Sequence, residues 1–219
     1  MCRICGEKLF SSYTQTEAGP LCGLCRRSAP QFRRAVSFGS YDGELRELIH
    51  LFKYNAVRPA GVLLARLLGQ AISELQLPTA PVLIPVPLWP GKRHARGFNQ
   101  AEAIARAFCS QKASGSIQLD TSSLVRTRET ASQTGLTRKQ RRANVRGAFA
   151  VTKAGKISGR SVLLVDDVMT TGTTVNECAR VLLRAGAKEV FVATVARATR
   201  EVESVRLAAA AAGGVQGHA

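Results

Sequence analysis

The sequence predicts an α/β fold with a mainly parallel sheet flanked by helices, and three observations support this fold class. Short apolar runs are typical of buried strands at 82–87, 161–165 and 189–195. Longer segments with apolar residues at helical spacing lie before and between these runs, and strands that alternate with helices favour parallel neighbours. With 219 residues, of which 45% are hydrophobic, the chain can form one such domain and a small additional segment.

Three helices follow from the spacing of apolar residues. The pattern predicts helices over 44–54 and 61–75, with Pro59 suited to the first turn of the second. A third helix is predicted over 174–185, and Gly186 stands where a helix commonly ends. The first two helices precede the first predicted strand, and the third lies between the predicted strands 161–165 and 189–195.

The middle of the chain gives weaker signals. Asn99 with Glu102 three residues later resembles a capping box and predicts a helix that starts there. The segment 117–125 is expected to hold a strand. Residues 126–146 are polar and without period, which predicts a long loop, and long loops inside a compact domain are usually functional or mobile.

Charge and composition restrict the classes of function. The net charge of +16 favours anionic partners such as nucleic acid, phosphorylated metabolites or acidic lipid surfaces. No run of 18 apolar residues predicts a membrane span, and the first residues lack the apolar segment of a signal peptide. We therefore expect a cytoplasmic protein. Residues 200–219 are of low complexity and are predicted to be a disordered tail.

Four cysteines near the start of the chain form two pairs. Cys2 and Cys5, like Cys22 and Cys25, are separated by two residues, and sixteen residues lie between the pairs. This is the spacing of a zinc ribbon, in which four thiolates hold a structural Zn²⁺. Disulfides are the alternative, disfavoured in a reducing compartment. We expect a ribbon and connector over 1–34 and the α/β domain over 35–199.

The segment "VLLVDDVMTTGTTVNE", 162–177, carries the strongest functional signal. Asp166 and Asp167 follow a buried strand, and ligands of parallel sheets bind beyond the carboxyl ends of strands. The threonine-rich turn around Gly172 leads into a helix, whose first amide groups can bind an anion. A sugar that carries a terminal phosphate would satisfy both halves. The alternative is an ordinary strand, turn and helix with solvated aspartates.

This segment resembles the phosphoribosyl-diphosphate (PRPP) signature of type I phosphoribosyltransferases. The resemblance implies that Asp166 and Asp167 hold the ribose 2- and 3-hydroxyls and act as the catalytic carboxylates. It also implies Mg²⁺ on the diphosphate of the substrate. The residues that would bind the 5-phosphate are Thr170, Thr171, Gly172, Thr173 and Thr174.

A second candidate phosphate-binding segment, which is basic, lies over 84–102 and resembles the "PVP…RGFNQ" stretch of ComF/GntX family proteins. Its cations suit a leaving diphosphate, although a solvated basic loop has the same composition. His94 is either a catalytic base or a surface residue. The "FKYN" stretch, 52–55, resembles the family's "LKY" motif. The residues that would bind the diphosphate are Pro87, Arg93 and Arg96.

The segment 124–149 resembles the second long motif of the same family. The resemblance implies a flexible loop that closes over the reacting centre. The loop residues at motif positions are Arg126, Thr130, Gln133, Arg141 and Asn144. Seven basic residues and one acid lie between 126 and 146, so this segment forms either a lid over diphosphate or a surface for a nucleic-acid backbone.

Two classes of function remain open from the sequence. The first is an enzyme that transfers phosphoribose from PRPP to an unidentified acceptor. The second is a competence-associated DNA-uptake factor that binds single-stranded DNA and uses the phosphoribosyl site without catalysis. The family resemblance implies PRPP, single-stranded DNA and a competence helicase as the partners to be considered.

Overall fold

A five-stranded, fully parallel sheet with the order β1-β7-β6-β2-β3 forms the centre of the computed structural model. The structure describes residues 1–9, 19–55, 58–111, 115–131 and 136–198. The strands of the sheet are β1 (Arg34–Ser40), β2 (Val82–Pro85), β3 (Gln118–Leu119), β6 (Ser161–Met169) and β7 (Glu189–Arg197). The strands β4 (Leu124–Arg126) and β5 (Phe149–Val151) form a separate antiparallel ribbon. The predicted α/β class is confirmed.

Helices cover both faces of the sheet, because the central strands are apolar on both sides. In β6, Val162 and Leu164 pack with α7, while Leu163 and Val165 pack with α2, α3 and α5. All four side chains are fully buried. The helices are α1 (Gly23–Arg27), α2 (Gly43–Asn55), α3 (Arg58–Ser73), α4 (Pro90–Arg96), α5 (Gln100–Cys109), α6 (Arg138–Val145) and α7 (Thr173–Arg184).

The prediction of a structureless loop over 126–146 is wrong in one part, because α6 lies within it. The Thr137 side chain accepts a hydrogen bond from the Gln140 amide, and the Gln140 side chain accepts one from the Thr137 amide. This capping box was readable in the sequence as Thr137-x-x-Gln140. Gln133 lies outside the described residues.

Other elements differ from the predicted ones in length. Strand β6 continues to Met169, so the two aspartates lie inside the strand instead of following it. Strand β1 was not predicted, because its sequence contains two serines and a glycine and has no clear alternation. Asn99 caps α5 as expected, but Glu102 pairs with Arg106 instead of completing a capping box.

The cysteine-bearing segment packs on the α7 side of the sheet. The Ala35 amide of β1 donates to the Ile4 carbonyl at 2.7 Å, and the four cysteines belong to the same apolar cluster as α7. At the end of β7, Arg197 donates to Glu7 Oε2 at 2.6 Å, with both side chains more than nine-tenths buried. Among the described residues, no helix is long and apolar enough to cross a membrane.

We expect the Glu7→Ala substitution to lower the free energy of unfolding by about 3–5 kcal/mol, because it leaves the Arg197 charge buried without its partner. Chemical denaturation monitored by circular dichroism measures this change. Glu47→Ala, at an exposed position of α2, is the matched control and should change stability by no more than about 0.5 kcal/mol. Equal effects of the two substitutions would show that the ion pair does not hold the N-terminal segment.

Candidate ligand site at the carboxyl edge of the sheet

The two aspartates lie where the sheet narrows. Strand β2 pairs with β6 only as far as Pro85 opposite Val165, whereas β6 continues along β7 to Met169. Because side chains alternate along a strand, Asp166 faces the α7 side and Asp167 faces the α2 side. Both carboxylates are half-buried at the edge where α/β sheets bind ligands.

Lys53 of α2 forms an ion pair with Asp167, with 2.8 Å between Nζ and Oδ2. Burial alone would lower the pKa of Lys53, but the charge of Asp167 and the hydrogen bond outweigh burial and raise that pKa. Lys53 therefore stays charged and fixes the Asp167 carboxylate. Sequence reasoning did not assign Lys53 to the site, although the "FKYN" motif contains it.

Among the described residues, no ion pair is formed by Asp166. Burial, together with the charge of Asp167, raises the pKa of Asp166 to about 8. Its Oδ1 accepts a hydrogen bond from the Asp167 amide at 3.0 Å, which only partly offsets burial. A pKa of about 8 keeps Asp166 largely protonated at neutral pH, whereas the Asp167 carboxylate is engaged by the Lys53 ammonium group.

The threonine-rich turn joins β6 to α7. Gly172 has a φ of 72°, in the left-handed region, and it occupies the N-cap position of α7 without supplying a side-chain cap. The first amide groups of this 12-residue helix are therefore not capped by the side chain at that position. The Thr171 and Thr173 hydroxyls lie 2.7 Å apart beside them. This arrangement can bind an anion through amide and hydroxyl donors.

Arg141 connects α6 to this turn. Its side chain is buried, and Nη1 donates to Thr170 Oγ1 at 3.4 Å. Arg126 lies over the Phe149 ring at 5.4 Å and donates to the Thr130 hydroxyl. A positive charge is thus held against the predicted phosphate-binding turn by residues of the predicted flexible loop.

The remaining predicted residues have mixed positions. Arg93 and Arg96 are exposed on α4, and Arg93 pairs with Glu102 at 3.3 Å. Lys92 donates to the Thr130 carbonyl at 3.1 Å, which joins α4 to the segment after β4. The Asn144 side chain donates to the Ala131 carbonyl at 2.9 Å and accepts from the Ala131 amide at 3.2 Å, so it stabilises the backbone conformation of the segment after β4.

The four N-terminal cysteines converge on one point. Their sulfur atoms lie within 4.8 Å of one another, all four residues are buried, and all are free thiols. The Cys5 and Cys22 sulfurs are 3.7 Å apart, close to the separation of about 3.8 Å that a tetrahedral ion with Zn–S bonds of about 2.3 Å requires. The hydrogen bond from Cys25, with the nearby Arg197 charge, lowers the pKa of Cys5 to about 5. The cluster can hold a metal ion.

Comparison with known proteins identifies the family to which the chain belongs. Residues 94–210, slightly more than half of the chain, match the family described as phosphoribosyl transferase domain. The chain is 36% identical over 177 residues to the DNA utilization protein YhgH of Escherichia coli O157:H7, which covers 78% of this chain and 75% of that protein.

It is also 36% identical over 207 residues to competence protein F of Haemophilus influenzae, which covers 90% of this chain and 84% of that one. Among solved structures, glutamine PRPP amidotransferase from B. subtilis shares 26% identity, with a TM-score of 0.41 over 62% of this chain and 26% of that chain. The family match and the two relatives show that the chain belongs to the phosphoribosyl transferase domain family, in its ComF-type branch.

Proposed function

We propose that this protein binds PRPP and transfers its phosphoribosyl group to an acceptor. The observation that carries the proposal is the close succession of two carboxylates and the α7 N-terminus, whose N-cap residue Gly172 supplies no side-chain cap, at the carboxyl edge of the sheet. Hydroxyl donors of a ribose suit the carboxylates, and a phosphate suits the helix end. PRPP carries both groups on one molecule.

In this proposal the turn over 170–174 binds the 5-phosphate. The α7 amide groups and the threonine hydroxyls donate to its oxygens, and Arg141 adds a cation from α6. Asp166 and Asp167 accept hydrogen bonds from the ribose hydroxyls. Lys53 keeps Asp167 in one orientation, so the ribose meets a preorganised acceptor.

The diphosphate would lie toward α4, where Pro87 lies two residues beyond the end of β2 and Arg93 and Arg96 supply cations. Arg93 is exposed in its 3.3 Å ion pair with Glu102, which is therefore weak, so a diphosphate can replace the carboxylate. Mg²⁺, bound mainly through the substrate's own phosphates and water, would neutralise charge on the leaving diphosphate. Lys92 links α4 to the loop that would cover this end of the site.

In the transfer step, the bond between C1 and the diphosphate oxygen breaks and the electron pair leaves with the diphosphate. Positive charge develops on the ribose ring, and the Asp167 carboxylate, held by Lys53, stabilises that charge. The lone pair of the acceptor forms the new bond to C1, and the acceptor's proton passes to the diphosphate. Arg141 and the covering loop exclude water that would otherwise react at C1.

The cysteine cluster is proposed to hold a structural Zn²⁺. Four buried thiolates leave no open coordination position, which is typical of structural sites and unlike catalytic ones. The names of the relatives suggest a setting for the reaction. One is named for DNA utilization and another for competence, so we propose that the acceptor is met during DNA uptake or use.

We expect the double substitution Asp166→Asn, Asp167→Asn to weaken PRPP binding. The lost charge-assisted hydrogen bond of Asp167 costs about 1.5–3 kcal/mol, and the lost neutral hydrogen bond of Asp166 costs about 0.5–1.5 kcal/mol. Isothermal titration with PRPP and Mg²⁺ measures the change. Asp166→Asn alone is tested as well, because the double variant also deprives Lys53 of its partner. The matched control is the double variant Asp42→Asn, Glu47→Gln, which removes two exposed acids and should keep wild-type affinity. Unchanged affinity in the double variant would mean that the aspartates do not contact ribose.

The raised pKa of Asp166 gives a pH dependence of stability. Between about pH 4 and pH 8 the folded protein holds the Asp166 proton while the unfolded chain does not, so this group makes stability fall by up to about 1.4 kcal/mol per pH unit as pH rises. Asp166→Asn removes the titration. We therefore expect the variant to gain stability relative to wild type between pH 5 and pH 8, measured by urea unfolding. Parallel pH profiles would show that Asp166 is ionised at neutral pH.

We expect one zinc ion per chain in protein purified without added metal, as measured by elemental mass spectrometry. Cys22→Ser should reduce the zinc content and the unfolding temperature, because the closed site needs all four thiolates. Cys109→Ser, outside the cluster, should keep both. Zinc near zero together with disulfides among the four cysteines would contradict the assignment.

A further inference from the structure

Arg197, at the end of β7, contacts the cysteine cluster from the far end of the chain. Its Nη2 atom donates to the Cys5 sulfur at 3.7 Å, across 192 residues of sequence. The Cys25 amide donates to the Cys22 sulfur at 3.4 Å, so the cluster also receives a backbone donor. Among the residues that the structure describes, no other cationic side chain donates a hydrogen bond to a sulfur of the cluster.

The sheet and Glu7 together fix the position of Arg197. The Tyr41 amide donates to the Arg197 carbonyl at 2.8 Å, and Met169 of β6 lies opposite Arg197 in the register of the sheet. The Arg197 side chain is 7% exposed, and its Nε and Nη2 atoms donate to Glu7 Oε2 at 3.2 and 2.6 Å. The guanidinium group is therefore preorganised for its contact with Cys5.

The ion pair with Glu7 leaves part of this guanidinium group unsatisfied. The Nη1 atom is buried and has no hydrogen-bond partner in the part of the chain that the structure describes. A buried donor without a partner costs free energy, and well-packed apolar residues often stabilise a protein as well as a buried ion pair does. Stabilisation of the fold alone therefore does not account for an arginine at this position.

Metal binding changes the charge that Arg197 meets. Four thiolates around one Zn²⁺ carry a net charge of about −2. In a buried cluster this charge is unfavourable unless cations and hydrogen-bond donors surround it. Arg197 is both a cation and a donor, whereas the Glu7 carboxylate, two residues after Cys5, adds a further negative charge nearby. One nitrogen of Arg197, Nη2, donates to both groups.

We propose that Arg197 is a positioning residue of the metal site, and that its guanidinium group stabilises the zinc-bound cluster through Cys5. The inference rests on the proposed zinc assignment. It implies that tight zinc binding needs the last strand of the α/β domain, so the cysteine segment is not an independent zinc module.

Two single substitutions have opposite expected effects on zinc. Arg197→Gln removes the cation, so zinc affinity should fall by about 10–100-fold, the usual loss when a partner of a metal ligand is removed. Glu7→Gln removes the nearby negative charge and leaves Arg197 positive, so zinc affinity should equal or exceed that of wild type. Both substitutions break the same ion pair, so a purely structural role predicts a loss of zinc in both.

The experiment uses the full chain loaded with zinc. Competition with a chromogenic zinc chelator measures the zinc affinity, and circular dichroism checks that each variant is folded at the start. Arg46→Gln, at an exposed position of α2, removes the same charge as Arg197→Gln and should keep wild-type affinity. Arg197→Lys keeps a cation at the position and should recover part of the loss.

Substitution of the metal by cobalt gives a second measurement, one that the stability of the fold does not change. Co²⁺ bound by thiolates has a sulfur-to-metal charge-transfer absorption, and loss of the hydrogen bond to Cys5 raises the energy of the sulfur lone pairs. The absorption of Arg197→Gln should therefore move to longer wavelength, and that of Arg46→Gln should not.

Equal losses of zinc in Arg197→Gln and Glu7→Gln would overturn the inference, because the ion pair would then act only through the fold. Wild-type affinity in Arg197→Gln would also overturn it and would leave the zinc assignment intact. If Arg197→Gln does not fold, Glu7→Gln decides, since an affinity below that of wild type contradicts the expected charge effect. A wild-type protein that binds no added zinc would refute the zinc assignment itself.

Discussion

The difference in length between β6 and its neighbour β2 creates the candidate site. Strand β2 ends at Pro85, the Val86 amide donates the last hydrogen bond to the Val165 carbonyl at 2.8 Å, and Pro87 has no amide that could continue the ladder. Strand β6 therefore continues without a partner strand on that side among the described residues. It is apolar from Val162 to Val165, and the two aspartates come next. A buried strand therefore delivers two carboxylates to an open edge, held by the rigid centre of the sheet.

This geometry gives two chemically identical side chains different electrostatic surroundings. Alternation sends Asp167 toward Lys53 and Asp166 toward the α7 side, where Arg126 is close enough to interact electrostatically but not to pair. Lys53 fixes the orientation of one acid, and burial raises the pKa of the other. A strongly raised pKa of a carboxyl group at such an edge is typical of functional sites.

The parts that the sequence predicted depend on local patterns. Apolar runs with helical or strand period indicated the sheet and the helices, and the paired spacing of Cys2, Cys5, Cys22 and Cys25 predicted their convergence. Strand β1 was missed because the strand that stabilises it, β7, lies about 157 residues later, as the contact of Ser37 with Thr194 shows. Helix α6 was missed because its residues are almost all polar, although its capping box was present.

Contacts between the two ends of the chain have a consequence for the order of folding. Strand β1 pairs with β7, and Glu7 meets Arg197 across 190 residues of sequence. During synthesis from the N-terminus, the cysteine segment and β1 leave the ribosome long before β7 exists. Their final docking must wait for almost the whole chain, and such distant contacts slow folding. A chain that ends before β7 would therefore lack both the strand that pairs with β1 and the arginine that pairs with Glu7.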